Sequence, residues 1–221
     1  MSDALEAILG HTFQRPELLR EALTHRSISA RRGGFSNERL EFMGDRVLGL
    51  LVAEWLSERF PAEQEGELGR RLAYLVSQPV LADVADVIGL GAAISVAPGE
   101  ARVGIKKRAT VLADALEAII GAIFLDDGLE PARGFVRRAW DEPMRQLVAP
   151  PKDPKTALQE WLQAKGNPLP EYKIVSRAGP SHEPSFVIAV SSGALTGTGQ
   201  AGSKRVAEQA AAADLLRQVR A

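Results

Sequence analysis

Apolar residues recur at three- and four-residue intervals through most of the first 149 positions, the period of helices that bury one face. The pattern predicts helices over 16–23, from about 37 to 59, and over 67–77, 79–88, 107–125 and 131–140. Pro16 suits a first helical position, and Ser36 is the expected N-cap of the long helix that follows it. Gly66, Pro79, Gly89, Gly91, Pro98, Gly99 and Gly128 punctuate the series, and Asp126-Asp127-Gly128 reads as a helix end followed by a turn. No strand-like run occurs before residue 149. The segment Ala149-Pro150-Pro151-Lys152-Asp153-Pro154 then interrupts the helical pattern, because prolines in a row favour an extended linker. Beyond it the period changes. A helix is predicted over 156–165, strands over 171–176, 185–190 and 195–201, and a last helix over 204–219 with Ser203 as its cap. Gly197 and Gly199 weaken the third strand. The expected fold is an all-α domain over 1–149, a proline-rich linker at 150–153 and a small α+β domain of order α-β-β-β-α over 154–221.

Composition narrows the chemistry. The 221 residues are 45% hydrophobic, enough for a true core. Cysteine is absent, which removes disulfides, thiolate nucleophiles and zinc–thiolate sites, and suits a reducing cytoplasm. The N-terminal stretch is acidic and lacks a secretory apolar region, and no run reaches the ~18–20 apolar residues of a membrane span, so no membrane partner is expected. The net charge is −1, but it is unevenly spread: from Asp153 onward there are 8 basic and 6 acidic residues, against 19 and 22 before it.

Acids occupy helical positions that apolar residues should fill. Glu38, Glu41 and Asp45 fall at i, i+3 and i+7 of a stripe that continues through Leu48, Val52 and Trp55. Asp114 and Glu117 share a face with Gly121 and Phe124 in an otherwise apolar run. Like charges at this spacing repel, and unpaired burial costs far more. Convergence on a bound cation resolves both problems, and ligands that offer only oxygen suit Mg²⁺ or Mn²⁺. Gly44 and Gly121, each costing ~1 kcal/mol relative to alanine inside a helix, mark a close crossing of the two acid-bearing helices. The alternative is that the acids are solvated, or paired with arginines such as Arg39 and Arg46.

The run Asn37-Glu38-Arg39-Leu40-Glu41-Phe42-Met43-Gly44-Asp45 resembles the signature of the ribonuclease III family. Residues 113–126 resemble that family's second motif, and Ala22-Leu23-Thr24-His25-Arg26-Ser27 its N-terminal element. The resemblance implies a homodimeric, Mg²⁺-dependent endonuclease that cleaves double-stranded RNA into ends bearing 5′-phosphate and 3′-hydroxyl, in ribosomal RNA and transcript processing. It implies Glu41, Asp45, Asp114 and Glu117 as metal ligands, with Asp45 and Glu117 most tied to catalysis. Asn37 and Glu38 would lie near substrate, Glu65 near substrate or the dimer, and Phe42 would be a knob in the partner subunit; the plain reading of Phe42 is helix core. His11 and His25 read as structural. Leu72, Ala109, Thr110 and Arg46 depart from the family's usual residues, but none removes an expected ligand.

The C-terminal module resembles a double-stranded RNA-binding domain. Thr156, Gln159, Glu160 and Gln163 share one helical face and can hydrogen-bond 2′-hydroxyls across a minor groove. Ser203, Lys204 and Arg205 open the last helix, where side-chain charge and the helix's positive end address the same phosphates. His182 matches a loop that would reach the next minor groove. A non-catalytic RNA-binding protein of the same fold is the competing expectation, and a small-molecule phosphohydrolase is a third.

Overall fold

The computed structural model describes residues 2–28, 35–151, 153–180 and 184–220. The chain divides into two units, Met1–Pro151 and Lys152–Ala221. Among the described residues, the first unit contains α1 (Ser2–Leu9), α2 (Pro16–Ala22), α3 (Glu38–Arg59), α4 (Glu65–Leu75), α5 (Gln78–Val87), α6 (Leu90–Ala93), α7 (Pro98–Arg102), α8 (Ala109–Asp127), α9 (Leu129–Ala139) and α10 (Asp141–Gln146). A 3₁₀ turn spans Ile105–Lys107.

Helix α8 is the axis of this unit. Its residues are apolar on every side, and a helix of that kind belongs inside. Between positions 111 and 123 every residue is buried except Asp114 and Glu117. Helix α3 packs across α8 at two glycines. A methyl group on Gly44 would lie 1.7 Å from the Glu117 carbonyl oxygen, and one on Gly121 would lie 2.2 Å from the Leu40 carbonyl oxygen. The backbones therefore touch at the crossing anticipated from the sequence. Leu48, Val52 and Leu56 of α3, Phe135 and Val136 of α9, and Trp140 close the core around it.

Three polar residues tie this core together. Trp140 donates its indole N–H to the Leu75 carbonyl at 2.9 Å. Arg71 is buried; it pairs with Glu63, stacks on Phe60 and donates to the Leu147 carbonyl. Asp126 accepts from the Gln14 and Arg15 amides and lies 2.9 Å from His11 Nε2. Both the amide bonds and His11 hold its carboxyl below the usual range against the opposing effect of burial. The sequence marked Asp126 as a helix end and the last residue of a motif; it also pins the α1–α2 loop.

Several boundaries move from expectation. Asn37, not Ser36, occupies the cap position of α3, and its side chain makes no capping bond. The Asn37 amide is engaged by the Thr24 carbonyl at 2.9 Å, and Ser36 Oγ instead donates to Glu38 Oε2. Helix α4 starts two residues early because the Gln64 amide finds the Glu67 carboxylate at 3.0 Å. Helix α8 starts at Ala109, since the 3₁₀ turn ends in an extended Arg108.

The second unit comprises α11 (Pro154–Ala164), β1 (Glu171–Ala178), β2 (Ser185–Ser192), β3 (Leu195–Ala201) and α12 (Lys204–Arg220). The sheet is antiparallel in the order β1-β2-β3, with Ile174 opposite Ile188 and a bulge before Ser176. Asp153 caps α11 by accepting from the Lys155 and Thr156 amides. Both helices pack on one sheet face through Leu158, Leu162, Ile188, Val190, Ala211 and Leu215. Gly199 has a packing reason: a methyl there would meet the Ala211 amide at 2.2 Å, so α12 lies directly on β3.

Candidate functional site

A cleft of about 490 Å³ opens over the α3–α8 crossing, lined by His25, Arg26, Asn37, Glu38, Glu41, Phe42, Asp45, Arg46, Asp114 and Glu117. The helices supply the acids. The N-terminal element supplies His25 and Arg26, which a bridge of backbone bonds fixes in place: the His25 amide donates to Ser95 O at 3.0 Å, and the Asn37 amide to Thr24 O at 2.9 Å. His25 is buried, and its Nδ1 accepts from the Ser27 amide at 3.2 Å. Its structural role is thus joined to a place on the cleft wall, and Arg26 beside it is a wall residue that spacing arguments did not single out.

Glu41, Asp114 and Glu117 converge. Each is half-buried, and each offers an oxygen within 4.8 Å of the others. Asp45 lines the same cleft but stands apart from this close trio. Its side chain is half-exposed, with Oδ2 2.9 Å from Arg46 Nη1. Arginine pairing, which the sequence left open for all the acids, is therefore realised at Asp45.

The electrostatics follow from this crowding. Burial first, then the neighbouring Asp45, Glu41 and Asp114 carboxylates, push the Glu117 carboxyl up to about 7, with Arg46 opposing. Glu41 is raised by burial and then by Asp114 and Glu38. Asp114 is raised by burial, while Arg26 and His25 pull it back. Carboxyls pushed up by burial and by one another's charge are ones that a cation would stabilise in ionised form. Three oxygens within 4.8 Å of one another can share one hard divalent ion by drawing together, since neighbouring ligands of Mg²⁺ sit ~3.0 Å apart and opposite ones ~4.2 Å.

The other expected residues are placed as follows. Asn37 is buried at the cleft's edge, and Glu38 is exposed there. Phe42 is 61% exposed, so it is not core within this chain. It borders a second, apolar cleft of about 710 Å³ lined with Leu18, Leu40, Met43 and Leu125. Glu65 is exposed in the first turn of α4 and does not line the carboxylate cleft. Leu72 packs against the core, while Ala109 and Thr110 are exposed at the start of α8.

In the second unit, Thr156, Gln159, Glu160 and Gln163 are all exposed along α11. Ser203, Lys204 and Arg205 are exposed at the start of α12, where Ser203 Oγ accepts from the Val206 amide at 3.3 Å. His182 lies outside the described residues.

Comparison with known proteins adds independent findings. The Ribonuclease-III-like family model matches residues 15–142, and the double-stranded RNA binding motif matches residues 154–219. A Ribonuclease 3 from Rhodopseudomonas palustris is 50% identical over 216 residues, covering 96% of this chain and 79% of the relative. The Bradyrhizobium diazoefficiens Ribonuclease 3 is 47% identical, covering 96% and 86%. Among solved structures, the nuclease domain of ribonuclease III from Campylobacter jejuni is 40% identical with a TM-score of 0.60, spanning 63% of this chain and 95% of that one. That structure shows flexibility in a region involved in dimer formation.

Proposed function

The chain belongs to the ribonuclease III family of double-stranded RNA endoribonucleases, and we propose that it hydrolyses duplex RNA at the α3–α8 cleft, using Mg²⁺ held by Glu41, Asp45, Asp114 and Glu117. The observation that carries this reading is the convergence of Glu41, Asp114 and Glu117 within 4.8 Å, with Asp45 on the same wall. Mn²⁺ satisfies the same oxygen donors. A bound divalent cation supplies Lewis-acid polarisation of a phosphoryl oxygen and a lowered pKa for its water.

The chain's own residues prepare the site. Glu117 and Asp45 are the acids assigned to catalysis. Burial raises the Asp114 carboxyl, and Arg26 and His25 on the cleft wall oppose that rise. Asn37 and Glu38 stand at the cleft's edge, where an RNA backbone would enter. The glycine contact between α3 and α8 holds the two pairs of acids at a fixed separation.

The second unit is assigned to duplex binding. The exposed α11 face carrying Thr156, Gln159, Glu160 and Gln163 suits the 2′-hydroxyls of a minor groove, and Ser203, Lys204 and Arg205 suit phosphates. His182 is assigned to the neighbouring minor groove. This mode follows shape rather than base sequence.

The working form in this proposal is a homodimer. Phe42 of one copy would fill the apolar cleft of the other, beside Leu18, Leu40, Met43 and Leu125. The exposure of Phe42 and its nearness to that cleft support this, because a two-fold interface must present knob and socket on one surface. Glu65 is assigned to the dimer and substrate margin. Two equivalent sites then address the two strands of one duplex, leaving 5′-phosphate and 3′-hydroxyl ends with short 3′ overhangs. The expected substrates are structured ribosomal RNA precursors and transcripts in the cytoplasm. No described helix is long and apolar enough to cross a membrane.

The test is cleavage of a duplex RNA by wild-type chain and Glu117→Gln, with and without Mg²⁺. Wild type should cut only with the cation, and Glu117→Gln should bind the duplex without cutting it. Wild-type cleavage rates in the variant would remove the assignment.

A further inference from the structure

Arg46 makes three contacts at once. Its Nη1 lies 2.9 Å from Asp45 Oδ2 and donates to the Phe42 carbonyl at 3.2 Å, while its guanidinium carbon sits 3.9 Å from the centre of the Phe42 ring. Adjacent helical residues do not normally face each other. The arginine reaches Asp45 by curling back along α3, where its Nη1 is also tied to the Phe42 carbonyl of its own helix and its plane lies over the Phe42 ring. An arginine over an aromatic face is pre-organised, so little further freedom is lost in gripping a carboxylate. Asp45 is also the one expected ligand that stays out of the close trio of acids.

We propose that Arg46 is a positioning residue for Asp45: it holds this carboxylate at the rim of the cleft and gives it up when a divalent cation enters. This rests on the reading of the cleft as a divalent-cation site. Cation uptake then has an internal competitor, and Asp45 joins the site only by exchanging a guanidinium for the ion. Both members are about half-exposed, so the competition is modest, of the size found for solvent-accessible pairs.

The experiment measures Mn²⁺ binding to the full chain without RNA, by electron paramagnetic resonance of the free ion at low ionic strength. Arg46→Met keeps an apolar stem beside Phe42 and removes the charge; it should tighten Mn²⁺ binding by about two- to five-fold. Arg46→Lys keeps the charge without the planar grip and should fall between. Removing any positive charge near the cleft also favours a cation, so the decisive arm is the Asp45→Asn background. There the effect of Arg46→Met should shrink to less than half its size in the wild type. An equal shift in both backgrounds, or weaker binding in Arg46→Met, overturns the proposal while leaving the cation site intact. Absence of Mn²⁺ binding to wild type at millimolar concentration overturns the cation reading itself, and this proposal with it. Unchanged melting temperatures in EDTA confirm that each variant is folded.

Discussion

Gly44→Ala puts one methyl group into the contact between α3 and α8. At its ideal position the new carbon would be 1.7 Å from the Glu117 carbonyl oxygen, 2.6 Å from its carbon and 2.9 Å from the Gly121 amide nitrogen. None of these is a side-chain tip that can swing aside. To reach ordinary contact at about 3.4 Å the helices must separate by roughly 1.7 Å, which is strain of the kind that costs 1–3 kcal/mol in a well-packed core. Alanine returns ~1 kcal/mol of helix propensity. Obstruction by backbone places the strain at or above the top of its range, so the net loss should be about 2 kcal/mol or more. The site suffers as well. Glu41 rides on α3, while Asp114 and Glu117 ride on α8, and their oxygens already span up to 4.8 Å. Ligands of one Mg²⁺ can lie at most ~4.2 Å apart, so a further roughly 1.7 Å exceeds what side-chain rotation readily recovers. Urea denaturation in EDTA should show the lost stability, and Mn²⁺ titration should show at least tenfold weaker binding. Gly69→Ala is the control: Gly69 is an exposed helical glycine with nothing within 4 Å of the added carbon, and its replacement should stabilise by up to ~1 kcal/mol. A Gly44→Ala chain as stable as wild type and binding Mn²⁺ equally would refute the argument from backbone contact.

Two further outcomes follow from the geometry. Glu117 is raised from 4.5 to about 7 in the folded chain, so the folded state holds a proton that the unfolded state releases. Its contribution to stability is complete below pH 4.5 and disappears as pH rises through about 7; divalent cation affinity runs the other way, weakening by about tenfold per unit below pH 7. Melting temperatures in EDTA and in Mn²⁺ should therefore diverge with rising pH, and Glu117→Gln should flatten both trends; identical profiles in wild type and variant would count against the assignment. Phe42→Ser removes an exposed ring, so it should leave each copy folded but lower the mass measured by sedimentation toward that of a single chain; an unchanged dimer would discard the Phe42 interface.

Much of the architecture was legible because its signals are local. The all-helical first unit, the proline-rich break and the α-β-β-β-α order all follow from period and punctuation. The glycine crossing was readable too, since a glycine inside a strong helical pattern needs a reason. What escaped depends on partners distant in sequence or on competition between close ones. Asp126 looks like an ordinary helix end until the His11 loop is laid over it. Arg71 sits in a charged run, yet it is buried because Phe60, Glu63 and Leu147 gather around it. Ser36 is a better cap by residue type, but the amide bond of Asn37 to Thr24 selects the next position. Period placed Asp45 with the other acids, but could not show that its own neighbour would draw it toward solvent.

The burial of the middle of α8, positions 111–123, bears on which substitutions the protein can tolerate. A helix whose middle is packed on every face but that of the acids cannot roll to accommodate a new side chain, and Asp114 and Glu117 turn with it as teeth turn with a gear. Ile119, Ile120 and Ile123 touch no substrate, yet their shapes set the angle at which two acids meet the cleft. Conservative changes at these positions can thus silence the enzyme while leaving it folded, so the reach of selection for activity extends through the hydrophobic interior.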